Sequence, residues 1–181
     1  DVAGACSGAD PVVTDTISGD WRVSPVAGGI AVGPSKGDTG WWSIPEGDIS
    51  VRHCFFDDVY SFNNDGSFGI AMGSETWVES WQVGVEADGC GTPVAPHDGS
   101  NAATYAYNAT ANTLTVTGDG AHVGLAKVRN GGEDGVSGGS VTYEVSDLTA
   151  TSMTLDISYN DDGAYWRFLL VTADSVAAPS A

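Results

Sequence analysis

The chain has 181 residues, with 24 acidic side chains against six basic ones and a formal net charge of −18. That length suits one domain around a single core, and no apolar stretch reaches the roughly 20 residues of a membrane span. The acidic balance speaks against nucleic acid and anionic membranes as partners, since both need a basic patch. The acids are spread through turn sequence, as on a solubilising surface. With few Lys and many Gly, Ser and Thr, they suit a secreted or cell-surface protein, and a saline habitat is expected. The chain opens on Asp1 and not on Met, the expectation being a mature or excised piece.

Residues 1–17 read as a linker or tail, small and polar without periodicity. The domain is expected over 18–172, with 173–181 as a C-terminal tail. Its first strand is 19–23. Residues 24–50 are rich in turn signals (Pro25, Gly28-Gly29, Gly33-Pro34, Gly37-Asp38, Pro45-Glu46-Gly47) and hold Trp41-Trp42. A long loop with two tryptophans is expected to pack as a lid.

From Val51 the pattern is antiparallel β. Cys54, Phe56, Tyr60 and Phe62 alternate with His53, Asp57 and Ser61, and Asp58 falls on the apolar face. Asn63-Asn64-Asp65-Gly66 is a hairpin turn signal, and the chain returns through Phe68, Ile70 and Met72. Carried on to 74–81, the same period puts Glu75, Trp77, Glu79 and Trp81 on the opposite face, unless a bulge at Gly73 flips it. A second long loop spans 82–101.

Shorter strands follow at 103–107, 113–117, 121–128, 141–145, 153–159 and 164–171. A Gly-rich loop lies at 130–140, and Asn160-Asp161-Asp162-Gly163 joins the last two strands. No amphipathic helix stands out. The prediction is an all-β, antiparallel up-and-down barrel with long loops, with a β-sandwich as the alternative.

Of the three cysteines, Cys54 and Cys90 lie inside the folded region and Cys6 lies in the tail. The expected disulfide is Cys54 to Cys90, worth about 3–4 kcal/mol in the chain-entropy model. Cys6 is then left as an intermolecular partner, a linker thiol or a lost lipid anchor.

Gly19-Asp20-Trp21 and Tyr165-Trp166-Arg167-Phe168 resemble the opening and closing strands of lipocalin-like (calycin) β-barrels. The resemblance implies that Trp21 lies across the barrel base with Arg167 packed over its ring, a cation–π contact of roughly 0.5–2 kcal/mol. A narrower resemblance, over about residues 18–171, is to a lipocalin-like module of extracellular proteins of marine bacteria. Such modules stand beside family 16 glycoside hydrolases of the laminarinase type. It is carried by Trp21-Arg22-Val23, Ala31-Val32-Gly33-Pro34, Trp41-Trp42-Ser43, Arg52, Cys54-Phe55-Phe56-Asp57-Asp58 and Glu75-Thr76-Trp77. Its most specific part is Cys90-Gly91-Thr92-Pro93-Val94-Ala95-Pro96-His97-Asp98-Gly99. It implies a polysaccharide-handling context and supplies no catalytic residue.

An enzyme is not expected. Glycosidic carboxylates stand roughly 5–9.5 Å apart, whereas Glu75 and Glu79, four strand positions apart, are separated by about 13 Å. Asp57 and Asp58 point to opposite faces, as do His53 and Cys54. No nucleophile elbow or zinc-protease motif occurs. His53, His97 and His122 are isolated, so no transition metal is expected. Calcium is the one open cofactor, best placed at His97-Asp98-Gly99-Ser100-Asn101, with 63–66 and 160–163 as lesser candidates.

Tryptophan is the unusual residue. Flat rings interleaved with carboxylates suit sugars, so the expected function is a non-catalytic carbohydrate-binding module for a neutral glycan such as a β-glucan. Its site would be Trp41, Trp42, Trp77, Trp81, Glu75 and Glu79, with His97 and Asp98 nearby. The opposing expectation is that loop 24–50 covers Trp77 and Trp81 and buries all four rings. Two other functions stay open: an extracellular assembly subunit joined through the N-terminal tail and Cys6, and a barrel holding a small apolar ligand.

Overall fold

Alternation is strongest near the C-terminus, where Ala164, Trp166, Phe168 and Leu170 are buried and the residues between them are less so. Such period-two burial makes a strand with one face on a core. The computed structural model describes residues 17–84, 86–128, 139–159 and 163–181. Among them the strands are β1 (Gly19–Val23), β2 (Ile30–Gly33), β3 (Trp42–Ser43), β4 (Val59–Phe62), β5 (Ser67–Ala71), β6 (Thr76–Val78), β7 (Gly89–Gly91), β8 (Ala103–Asn108), β9 (Thr113–Thr117), β10 (Ser140–Ser146), β11 (Ser152–Tyr159) and β12 (Ala164–Thr172). Two short helices are α1 (His53–Phe56) and α2 (Ser80–Val83).

Eight strands, in the order β1, β4, β5, β8, β9, β10, β11, β12, pair antiparallel with their neighbours, and β12 closes back on β1. The result is an up-and-down antiparallel barrel, compatible with a lipocalin-like one, and closure leaves the ring without an open edge. β12 is long enough for two partners on one side. Trp21, Arg22 and Val23 face Thr172, Val171 and Leu170. The backbone N–H of Ser24 then donates to Leu169 O at 2.7 Å, and β2 resumes the pairing from Ile30 against Phe168. β3 adds outside β2.

The interior is filled by Trp21, Tyr60, Tyr143, Phe55, Phe56, Phe62 and Phe168. Their polar atoms find partners inside: Trp21 Nε1 donates to Ile17 O at 2.9 Å. Tyr143 Oη accepts from Val123 N and donates to Val123 O. Gly124 (φ 81°) sits where an added Cβ would be 2.5 Å from the Phe168 ring, so this segment enters the barrel as a plug.

The registers give the barrel two unlike ends. At one, the links 63–66, 109–112 and 147–151 are four or five residues long; this is the turn end. The connections from β1 to β4, β5 to β8 and β9 to β10 all emerge at the other, the loop end.

Four expectations change at the loop end. Residues 24–50 are not a single lid, because Ile30, Ala31 and Val32 are buried in β2 and Trp42 pairs in β3. Residues 53–56 are helical, with Phe55 N and Phe56 N donating to Arg52 O. Burying Cys54, Phe55 and Phe56 in succession is a helical solution and not a period-two one. The predicted strand 74–81 shrinks to β6, because Glu79 caps α2 in a reciprocal box with Gln82. The predicted strand 121–128 is instead irregular chain ending in a short 3-10 turn at Ala126–Val128.

The expected stacking of Arg167 on Trp21 is also corrected. Trp21 is inside the barrel, 2% exposed and opposite Thr172. Arg167 lies five residues back along β12 on the alternate pleat, pairing with Asp156 on β11. Its Nε and Nη2 donate to the two Asp156 carboxylate oxygens at 2.8 Å each. This bidentate pair holds Arg167 on the outer face, and a guanidinium with a fork of carboxylate oxygens gains more from them than from a ring. Residues 1–16, including Cys6, and 129–138 and 160–162 lie outside the described residues.

Candidate functional site: the loop end of the barrel

Arg52 immediately precedes α1, which turns it toward the aromatic loops. Its guanidinium carbon is 4.1 Å from the Trp77 ring centroid and 5.3 Å from that of Trp42. Trp42 in turn meets Trp166 edge-on at 6.4 Å. Burial draws the Arg52 pKa down, while Asp88, Glu79 and Asp48 oppose that shift. Trp42 and Trp77 are therefore half-buried, with ring faces committed to one cation. Trp41 is 57% exposed and Trp81 37%. The four tryptophans divide into a half-buried pair and an exposed pair, neither the full platform nor the full second core.

The carboxylates divide as well. Glu79 is buried at 3% exposure. Its Oε1 is 2.9 Å from Lys127 Nζ, and its Oε2 accepts from Trp81 Nε1 at 3.1 Å. Lys127 Nζ also lies 5.0 Å from the Trp166 ring centroid. Glu79 thus orients Trp81 from the indole N–H edge. Glu75 is more exposed, with Oε1 4.0 Å from His53 Nδ1. The expected alternation of Glu75, Trp77, Glu79 and Trp81 on one strand face does not form.

His97 is buried and meets Trp81 edge-on at 5.6 Å and His122 at 5.9 Å. It supports the Trp81 ring from behind. Asp98 has turned to its own loop: Oδ1 accepts from Ser100 N and Ser100 Oγ, which holds its carboxyl below the usual range. Asp65 does the same with Ser67 at the turn end. Among the described residues no three His, Cys, Asp or Glu side chains are grouped as a metal would require.

The disulfide joins Cys54 of α1 to Cys90 of β7, across 36 residues of sequence. It fastens the small β6–β7 sheet to the barrel, and His53 Nε2 lies 3.8 Å from Cys90 Sγ. A second fastening is buried. Thr76 Oγ1 donates to Asp58 Oδ2 at 2.7 Å, Asp58 is 2% exposed, and burial pushes its carboxyl up to about 8. Burial also raises Asp57, which is exposed to solvent on the other side.

Beside these fastenings lies an open cleft of about 550 Å³, lined by Val78, Val83, Cys90, Pro93 and Val94 among others. Beneath, Thr76, Trp77, His97 and His122 border an enclosed space of about 10 Å³, enough for one water.

Arg52, Lys127 and the bond between Asp58 and Thr76 organise this end, and none was expected as a site residue. Asp58 on an otherwise apolar face was the available signal. The cations carried none, because their partners are distant in sequence.

No protein-family model matches the chain, and no curated protein sequence matches it.

Proposed function

We propose that the chain is a non-catalytic carbohydrate-binding module and that its site is the exposed tryptophan pair, Trp41 and Trp81, at the loop end. The observation that carries this reading is the exposure of both rings, 57% and 37%, in a region where Trp42 and Trp77 already have their faces on Arg52. A large aromatic face left open beside polar groups suits a sugar ring, whose axial C–H bonds meet the π surface. Trp81 is held by Glu79 and His97, so little rotamer freedom is lost on binding.

A neutral glycan fits best. Of the six basic residues, Arg52 is sandwiched between indoles, and Lys127, Arg167 and Lys36 are paired with Glu79, Asp156 and Glu144. Little positive charge remains for sulfated or uronate polymers. The packed interior favours the rim over the barrel lumen as the place for a ligand. The resemblance to lipocalin-like modules found beside laminarinase-type glycoside hydrolases adds a β-glucan as the first polymer to try, and with it a secreted or surface setting.

The test is a glycan array that includes soluble β-glucans, followed by titration with the best binder. Trp41→Ala and Trp81→Ala should each weaken binding by about 1–3 kcal/mol, as aromatic anchors do at other interfaces. Full binding by the double variant, or no binding to any neutral glycan, overturns the reading.

A further inference from the structure

Asp58 has an environment unlike any other acid described in the chain. It opens β4 from the loop end, is 2% exposed, and has one hydrogen bond, from Thr76 of β6. Its Oδ1 is buried without a partner among the described residues. Among the described residues no cation pairs with it. Asp57 precedes it, and Tyr60 follows on the same pleat of β4, with Tyr143 near Tyr60. His97 and His122 border the small space behind Thr76. His53, Glu75 and Arg22 act on Asp57 from α1, the approach to β6, and β1.

A neutral carboxyl suits this site: Thr76 donates to one oxygen and the acid proton sits on the other. A carboxylate does not, because one hydroxyl cannot replace the water an anion loses on burial. On one side of Asp58 stands the closed barrel. On the other stands a flap, β6–α2–β7, attached among the described residues through Thr76 to Asp58, Cys90 to Cys54 and Val51, Trp77 to Arg52 and the core, Glu79 to Lys127 and Trp81 to His97. Letting water reach Asp58 costs least on the flap side.

We propose that Asp58, buried beneath Thr76 of the flap, is a protonation-controlled latch. It holds β6 and α2 on the barrel while the carboxyl is neutral, and releases them when it ionises, with the Cys54–Cys90 disulfide keeping β7 tethered. Burial places the closed form's ionisation near pH 8, so opening becomes easier as pH rises towards that value. The flap carries Trp81, so where the carbohydrate reading holds, the latch regulates that site. The latch itself does not depend on that reading.

Amide hydrogen exchange tests it without any ligand, as protection relative to the intrinsic rate at each pH between about 6 and 9.5. In the wild type, residues 76–83 should lose protection by up to about tenfold per pH unit as pH rises towards 8, since opening releases one proton, and the loss should level off above about pH 8, where the closed form has itself ionised. β9 and β10, which open only with global unfolding, should stay better protected at every pH. Asp58→Asn should remove the pH step. Thr76→Val should move the levelling-off to higher pH, because the lost hydroxyl had favoured the carboxylate. A flat wild-type profile, protection of 76–83 no lower than that of β9 and β10, or an unchanged pH dependence in Asp58→Asn overturns the proposal. Should Asp58→Asn fail to fold, Thr76→Val decides: a levelling-off that does not move overturns it. Glycan titration is a separate measurement, so either idea can fail alone.

Discussion

The two ends of this barrel are built by different rules. At the turn end, the side chains that hold the turns find partners within three residues of sequence. Asn108 Oδ1 accepts from Thr110 N and Ala111 N, Asp65 Oδ1 from Ser67 N, and Thr149 Oγ1 meets Ser152 Oγ. At the loop end the joints run across 18 residues from Asp58 to Thr76, 20 from Val123 to Tyr143 and 36 from Cys54 to Cys90. Local joints form as soon as the chain turns. Distant joints form only once the barrel has placed both partners, and each one closes a loop whose entropy must be overcome. The loop end therefore depends on the finished barrel, while the turn end sets register.

The largest test of that contrast is Asp58. Its folded pKa, about 8, is raised above the ordinary 3.8, so between those values the folded chain binds a proton that the unfolded chain has released. Stability from this group is therefore greatest below about pH 4 and falls as pH rises to about 8. The slope is on the order of 1 kcal/mol per pH unit, and the sum several kcal/mol across the window. Urea denaturation at several pH values, compared between wild type and Asp58→Asn, should show the slope in the wild type and its loss in the variant. Equal slopes would mean that the buried carboxyl is not what links pH to folding.

The disulfide comes next. Replacing both Cys54 and Cys90 by Ala should cost about 3–4 kcal/mol, since the bridge closes a loop of moderate length in the unfolded chain. A loss below about 1 kcal/mol would mean that the noncovalent joints of the flap already hold it in place.

The same contrast explains what could be read from the sequence. The barrel was legible because alternation and turn chemistry are local: the patterns at 113–117, 141–145 and 164–171 became β9, β10 and β12 with small shifts of boundary. The disulfide was legible because two cysteines lay inside the domain. The Trp21 and Arg167 pairing was not, since a strand pattern does not say which Arg meets which ring; Asp156, buried on the outer face, took Arg167. The 53–56 and 80–83 segments are short enough that helix and strand patterns overlap, and tertiary packing decided for helix. With that decision Glu79 left the face expected for it and became a cap. The candidate site was thus half legible. Tryptophan pointed to the loop end of the molecule, but which rings stay open depends on Arg52, whose partners Trp42 and Trp77 are ten or more residues away on either side.

The smallest effect is expected at the turn end, at Asn112 between β8 and β9. Its φ is 52°, in the left-handed region where a Cβ crowds the following carbonyl and where Asn is better tolerated than other non-Gly residues. Its carbonyl accepts from Val145 N at 2.8 Å, a backbone bond that any residue keeps. The side chain's value is therefore conformational and local. Asn112→Ala should cost about 1 kcal/mol, and Asn112→Gly should lie within about 0.5 kcal/mol of the wild type, because glycine gains freedom in the unfolded chain but meets no clash in the folded one. Urea midpoints at constant slope are the measurement. Equal losses for both variants would show that the amide side chain, and not the backbone angle, holds this turn. The turn end would then depend on side-chain contacts in the way the loop end does.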